Sequence, residues 1–160
     1  MSSIEVEPST FRQLLGRFAT GVTVITLPGP DGRPAGMTAS SLASVSLQPP
    51  LLSLCIDREA DLYDLIIAAP AFMVNVLESA QEELSRRFAE PHPDRFAGVG
   101  YQVGPAGEIL LDGALAHIEC RQHAVYDGGD HSIIVGLVTG GSTGKGRPLL
   151  YYRGGYGAPG

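Results

Sequence analysis

Residues 36–57 read GMTASSLASVSLQPPLLSLCID and decide how the chain is organised. The first half of this block holds small and hydroxylated side chains, among them Thr38, Ser40 and Ser41. The pair Pro49-Pro50 then predicts a turn into an apolar strand at 51–56. Small residues let a flat ligand approach the backbone, and hydroxyl and N–H groups bind an anion without a full positive charge. The block indicates a ligand slot, although two ordinary strands with solvent-facing Ser and Thr produce the same alternation.

Composition bounds the classes of protein that this chain can be. Its 160 residues include 21 glycines and 12 prolines, which favours one domain of many short strands joined by tight turns. The net charge of −6 argues against a nucleic-acid partner, because phosphates demand a basic surface. No apolar run reaches the roughly 18 residues of a membrane span, and the N-terminus lacks the pattern of a signal peptide. We therefore expect a cytoplasmic protein with no membrane partner.

The cysteines and histidines indicate neither a metal site nor redox chemistry. Cys55 and Cys120 lie within apolar strand patterns and outside any CxxC pair. Two buried, reduced thiols are expected, although the sequence leaves a disulfide between them open. The four histidines show no spacing typical of zinc ligands, so no metal is expected.

The remaining sequence predicts about six or seven strands and two or three short helices. Runs such as 22–26 and 132–139 are rich in β-branched residues, whereas 11–19, 58–69 and 81–88 have helical spacing. Because consecutive strands carry hairpin signals, we expect an antiparallel sheet closed into a barrel. No GxGxxG lies in a βαβ pattern, which argues against a doubly wound dinucleotide fold.

Four local expectations go with this scheme. The strand at 51–56 reads as buried on both faces. Ser79 is the expected cap of the helix at 81–88. The polar loop at 91–104 is long enough to form a lid or to cover a partner, and the glycine-rich stretch 140–147 reads as a flexible turn.

The chain has few groups for acid–base or nucleophilic catalysis. No serine lies in a GxSxG elbow, and no pair of carboxylates falls in the predicted slot. A slot for a flat anionic ligand with few titratable groups is typical of a protein whose ligand carries the chemistry. A flavin, with its planar ring and phosphate, meets those requirements.

Seven motifs in one order strengthen this interpretation. FRQLLGRFATGVTVIT, the 36–57 block, FMVNVL, LSRRFA, ALAHIEC, GDH and PLLYYRGGY follow one another between about residues 11 and 156. Each motif alone is weak, but their joint order and spacing are specific. Together they resemble the short-chain flavin reductases, the small reductase components of two-component flavin-dependent monooxygenases.

The resemblance implies a fold and an activity. The fold would be mainly β, an antiparallel split β-barrel with a Greek-key core and a few short flanking helices, forming a single domain over 1–160. The protein would be a homodimer that reduces FMN or FAD with NADH or NADPH and supplies reduced flavin to a separate monooxygenase by diffusion. Two alternatives stay open: a flavoprotein that keeps its flavin as an oxidase or oxygenase, and a flavin-binding protein of electron transfer.

The resemblance also implies which residues form the site. His131 of the GDH motif would meet the nicotinamide cofactor as the catalytic residue. The flavin-binding residues would be Thr38, Ala39, Ser40, Ser41, Cys55, Ile56, Asp57, Ser85, Arg86, Phe88 and Tyr156. Asp130 would also be a cofactor-binding residue that fixes the turn or orients His131, and Ser41 and Arg86 would lie on the phosphate side.

One stretch departs from the family pattern. Family members often carry Ser or Thr near the position where this chain has Arg58-Glu59-Ala60-Asp61. A hydroxyl contact to flavin is then lost unless Arg58 replaces it. Weaker binding would suit a reductase that releases reduced flavin to another protein.

Overall fold

The computed structural model describes residues 4–159, which form three helices and twelve strands. The helices are α1 (Pro8–Leu15), α2 (Tyr63–Ala68) and α3 (Glu82–Ala89). The strands are β1 (Thr20–Gly21), β2 (Thr23–Pro28), β3 (Pro34–Ala39), β4 (Ala43–Leu47), β5 (Pro50–Asp57), β6 (Ala71–Val76), β7 (Tyr101–Val103), β8 (Ile109–Leu111), β9 (Ala116–Gly128), β10 (His131–Thr143), β11 (Leu150–Tyr152) and β12 (Gly155–Gly157). No helix in the described part combines the length and apolar character needed to cross a membrane.

Seven strands form one antiparallel sheet in the order β3-β2-β6-β9-β10-β5-β4, beside the smaller sheets β1-β11-β12 and β7-β8. The β9–β10 register shifts between Val135 and Gly136 and between Val138 and Gly140, so this pair of strands contains β-bulges. The mainly β, antiparallel class is confirmed. The pairings among residues 4–159 leave β3 and β4 as the two edges, so they do not close the sheet on itself.

The strand β2 separates two hydrophobic cores. Its side chains alternate between faces, so Val24 packs into one cluster with Phe88 and Leu111, while Ile25 packs into the other with Leu54. Five consecutive residues of β2 are buried as a result. The strand therefore fixes where α3 lies, because Phe88 belongs to α3.

The prediction that β5 is buried on both faces is wrong for the single chain. Leu52, Leu54 and Ile56 are 5%, 0% and 0% exposed, whereas Ser53 and Cys55 are partly exposed. Only one face of β5 meets the core, and residues 4–159 cover its other face, at Leu51, Ser53 and Cys55, only in part.

The predicted N-terminal helix forms as α1, but its apolar side chains are not buried. Phe11, Leu14 and Leu15 are 55%, 59% and 53% exposed, and Phe18 beyond the helix is 74% exposed. A contiguous apolar surface of this kind is typical of an interface.

The predicted helix at 58–69 is shorter in the structure. The carboxylate of Asp57 accepts a hydrogen bond from the backbone N–H of Glu59 at 2.9 Å. This bond holds the segment after β5 as a turn, so α2 begins only at Tyr63.

Three further local predictions are wrong. Ser79 does not cap α3, because its hydroxyl donates to the carboxylate of Glu78 at 2.6 Å. The stretch at 140–147 is not a turn throughout, since β10 continues to Thr143 by pairing with β9. The two cysteines are free thiols, but the expectation that both are buried is wrong for Cys55, which is half-buried. Cys120 is buried, and burial raises the pKa of its thiol to about 12.

A buried amide joins the three strands β6, β2 and β8. Asn75 is fully buried on β6 and donates to the carbonyl of Val24 at 2.9 Å and to the hydroxyl of Thr26 at 2.8 Å. Its side-chain oxygen accepts the backbone N–H of Leu111 at 2.9 Å. The amide thus satisfies polar groups of β2 and β8 that water cannot reach.

We expect Asn75→Ala to lower the free energy of unfolding by about 3 kcal/mol, because the buried partners of the amide on β2 and β8 then lose their hydrogen bonds. Urea unfolding followed by circular dichroism measures this change. Gln102→Ala, at an exposed position of β7, is the matched control and should change stability by less than about 0.5 kcal/mol. A loss below about 1 kcal/mol for Asn75→Ala would contradict a structural role for the amide.

Candidate active site

A cleft of about 400 Å³ opens where the end of β3 meets the C-terminal half of α3. Its volume lies within the range of small-ligand sites. Five predicted site residues line it: Thr38, Ala39, Ser40, Phe88 and Tyr156. Further walls come from segments that the site prediction did not include, namely Glu59, Ala60, Asp61, Arg95 and Tyr151.

Direct contacts between β3 and α3 shape the cleft floor. The hydroxyl of Thr38 donates to the backbone carbonyl of Ser85 at 2.7 Å. A Cβ on Gly36 would lie 3.0 Å from the ring of Phe88, so only glycine lets that ring pack against β3 without displacement. Because β3 ends at Ala39, the peptide groups of Ser40 lie beyond its ladder, and Ser40 itself lines the cleft.

Tyr156 connects the C-terminal strands to α3. Its hydroxyl shares a 2.8 Å hydrogen bond with the hydroxyl of Ser85. The guanidinium of Arg86 lies 4.9 Å from the centre of the Tyr156 ring, a cation–π arrangement, and also donates to Glu82 at 2.8 Å. The bond to Glu82 also raises the pKa of Arg86. Ser85 and Arg86 therefore support the aromatic wall and are not among the residues that line the cleft.

Ser41 is bound to the neighbouring strand. Its hydroxyl accepts the backbone N–H of Cys55 at 2.9 Å and donates to the carbonyl of the same residue at 3.2 Å. Ile56 is fully buried in the core beside it. The structure places Ser41, Cys55 and Ile56 outside the cleft lining.

The remaining predicted residues meet at one end of the main sheet. His131 is paired with Asp57 across the β5–β10 ladder, and its Nδ1 lies 2.7 Å from the carboxylate of Asp130. That hydrogen bond, followed by the charge of the imidazole, lowers the pKa of Asp130. A proton on Nδ1 shared with a carboxylate leaves Nε2 for a ligand.

Arg58 fastens the hairpin tip that carries His131. Its Nε donates to the carbonyl of Gly129 at 3.0 Å, and its guanidinium forms an ion pair with Asp127. Its backbone N–H donates to the carbonyl of Asp130 at 3.0 Å. These bonds join the tip to the turn that lines the cleft, and they direct the Arg58 side chain toward the tip. Arg58 therefore does not supply the cleft contact that the sequence left open to it.

Arg95 is the cation that the sequence analysis did not identify. Its side chain is only 15% exposed and lies in the cleft lining, on the loop that follows α3. One nitrogen donates to the carbonyl of Gly36 at 3.1 Å, and another lies 3.6 Å from the carboxylate of Asp61. The one sequence feature that pointed to this segment was the length of the 91–104 loop, which predicted a covering loop but did not single out Arg95.

A second groove, of about 790 Å³, lies at the far end of β2 and is larger than the cleft. Its lining is mainly apolar, with Leu27, Leu65 and Phe72 among its residues, and it contains none of the predicted site residues. We favour the smaller cleft as the site, because it combines aromatic walls with polar groups at a strand end. Among residues 4–159 no group of His, Cys, Asp and Glu side chains is placed to hold a metal ion.

Comparisons with known proteins agree with this geometry. Residues 15–160 match the flavin reductase like domain. The reductase subunit HsaB of a flavin-dependent monooxygenase from Mycobacterium tuberculosis is 41% identical over 157 residues, which cover 96% of this chain and 83% of that protein. A flavin reductase (NADH) from Kitasatospora aureofaciens is 43% identical over 155 residues, covering 94% of this chain and 81% of that protein.

Solved structures are similar over nearly the whole chain. The NADH:FAD oxidoreductase of Streptomyces globisporus, solved in complex with NAD and FAD fragments, superposes with a TM-score of 0.88 at 39% identity and covers 96% of this chain and 95% of its own. Nitrilotriacetate monooxygenase component B from Mycobacterium thermoresistibile gives a TM-score of 0.90 at 42% identity, with coverage of 95% and 86%. The matched domain and these identities confirm the resemblance seen in the motifs, and the chain belongs to the flavin reductase-like family.

Proposed function

We propose that this protein is an NAD(P)H:flavin oxidoreductase that reduces FMN or FAD and supplies the reduced flavin to a separate monooxygenase. The observation that carries the proposal is the cleft at the end of β3, which combines small residues, aromatic walls and an adjoining histidine turn. Family membership supports the reaction class, and the names of the relatives include both an NADH-dependent flavin reductase and a monooxygenase reductase subunit.

The residues present fit a flavin. Ala39 and Ser40 are small, so a flat ring can approach the backbone at the end of β3. Phe88 and Tyr156 supply apolar and aromatic surface for such a ring, which stacking favours. We propose that the peptide groups at Ser40 hold the polar edge of the ring.

The chain contributes position and shielding to the reaction. A bound flavin supplies a ring that accepts a hydride from a reduced nicotinamide. No histidine or cysteine lies among the described cleft-lining residues, and a hydride transfer between two rings needs no side-chain nucleophile there. Its residues bind the ring, limit its orientation and exclude water, which is what a hydride transfer between two aligned rings requires.

We propose that His131 binds the nicotinamide nucleotide. Asp130 bonds to Nδ1 and orients the ring, which leaves Nε2 to bind an amide or phosphate oxygen. The backbone bond from Arg58 to Asp130 connects this turn to the wall of the cleft. Asp57, opposite His131 on β5, belongs to the same sheet end.

The finer features are part of the same proposal. The antiparallel order of the seven strands supports a split β-barrel with a Greek-key core, as a single domain over 1–160. The exposed apolar residues of α1 and the partly exposed face of β5 support a homodimer. We also propose the cytoplasm as its location, since its two cysteines are free thiols. Sedimentation of the purified protein tests the dimer, and a monomer at micromolar concentration would contradict it.

We expect purified protein to oxidise NADH or NADPH at a rate that rises and saturates with added FMN or FAD. Absorbance loss of the nicotinamide under steady state measures this rate. Activity that needs no added flavin, from protein that retains its own, would support an oxidase instead. A yellow protein that oxidises neither nucleotide would support electron transfer and contradict the reductase.

We expect His131→Ala to raise the KM for the nicotinamide nucleotide about 10-fold, because a ligand contact of about 1.4 kcal/mol is lost. The KM for flavin should stay within about 2-fold, since His131 does not line the cleft. His123→Ala is the matched control, at an exposed position of β9. Equal changes in both KM values would argue against nicotinamide binding by His131.

We expect Arg58→Ala to raise the same nicotinamide KM about 5-fold by loosening the hairpin tip. Its effect should disappear in a His131→Ala background, because Arg58 acts through the histidine that it positions. The double-mutant cycle measures this coupling. Additive effects of the two substitutions would show that Arg58 acts independently of His131.

A further inference from the structure

Arg95 and Asp61 face each other at the cleft from two different segments. Arg95 follows α3, whereas Asp61 belongs to the turn between β5 and α2. The Nε of Arg95 donates to the carbonyl of Glu90 and its Nη1 to the carbonyl of Gly36, both at 3.1 Å. Its Nη2 lies 3.6 Å from a carboxylate oxygen of Asp61, which is an ion pair but too long for a hydrogen bond. Two hydrogen bonds to backbone carbonyls therefore fix the Arg95 side chain, while its Nη2 is held only by the long ion pair with Asp61.

Ser41 and Arg86, which the family resemblance places on the phosphate side, are both bonded to other groups of the protein. The hydroxyl of Ser41 is bound to both backbone groups of Cys55. Arg86 is bonded to Glu82 and lies over the ring of Tyr156, outside the cleft lining. Arg95 is thus the single cation among the described lining residues, and its side chain is largely buried.

Asp61 opposes the binding of an anion at this position. Its side chain is 69% exposed, and Glu59 adds a second negative charge to the same lining. A phosphate that approaches Arg95 must compete with Asp61 and meets the repulsion of both carboxylates. Arg95 therefore attracts a phosphate, while Asp61 limits how tightly that phosphate can bind.

We propose that Arg95 binds the phosphate of the flavin and that Asp61 competes for it, so that the pair sets how tightly phosphorylated flavins are held. This inference rests on the proposed function, since it concerns the ligand of the same cleft. It assigns the phosphate to Arg95 in place of Arg86. It also gives the Glu59-Ala60-Asp61 departure a role, because carboxylates there favour release of the flavin.

The test compares flavins that differ only in their phosphate. Quenching of flavin fluorescence gives the Kd of FMN and of riboflavin, which lacks the phosphate, for the wild type and each variant at low ionic strength. Arg95→Ala should raise the Kd of FMN about 10-fold or more, because a charge-assisted bond is lost, and should leave that of riboflavin within about 2-fold. Asp61→Asn should lower the Kd of FMN about 3-fold or more by removing the competitor, again without an effect on riboflavin.

A matched control separates charge from loop structure. Arg87 donates to the carbonyl of Ala97 on the same loop but does not line the cleft. Arg87→Ala removes a tether of the loop and should leave the ratio of the two Kd values unchanged. Arg95→Lys retains the charge and should recover part of the FMN affinity.

The outcomes distinguish this inference from the proposed function. A parallel loss for FMN and riboflavin in Arg95→Ala, or an unchanged FMN Kd in Asp61→Asn, would overturn the phosphate assignment. Flavin-dependent NADH oxidation by the wild type would stand in either case. A wild type that oxidises no nicotinamide with any flavin would instead overturn the reductase itself.

Discussion

The hydrogen bond from the hydroxyl of Thr38 to the carbonyl of Ser85 holds β3 against α3, and the cleft depends on that contact. Packing of Phe88 on the bare backbone of Gly36 makes the approach close enough for the bond. The hydroxyl of Ser85 then shares a hydrogen bond with the hydroxyl of Tyr156. Thr38 and Tyr156, which lie 47 and 71 residues from Ser85 in the sequence, therefore both contact α3 at this one residue. The site is therefore a consequence of how one short amphipathic helix packs on an edge strand.

The parts of the fold that local pattern controls were predictable from the sequence. Alternation and β-branching located β2, β6 and β10, and helical spacing located α1 and α3, because those signals are carried by neighbouring residues. Burial was less predictable, since it depends on what covers a face. The run at 51–56 and the apolar residues of α1 both look like core in sequence, yet residues 4–159 leave one face of each at least partly exposed.

The same distinction explains which site residues the sequence could identify. Thr38, Ala39 and Ser40 stand in a contiguous block, so composition and family resemblance both point to them. Arg58 and Arg95 gain their roles from partners that are distant in the chain, Asp127 at 69 residues and Gly36 at 59. No periodic pattern marks such pairs, because each depends on the final position of a loop.

The two arginines also show how this chain accommodates its departure from the family pattern. A hydroxyl after β5 can bind a flavin without introducing charge, whereas this turn carries the charged side chains Arg58, Glu59 and Asp61. Arg58 is satisfied by the hairpin tip, so the carboxylates remain as the charged groups that this turn presents to the cleft. With Arg95 opposing them, the lining has a net charge near −1. Under the proposed assignment, a cleft of that charge would hold a dianionic flavin weakly, which is the affinity expected of a reductase that releases its flavin after each turnover.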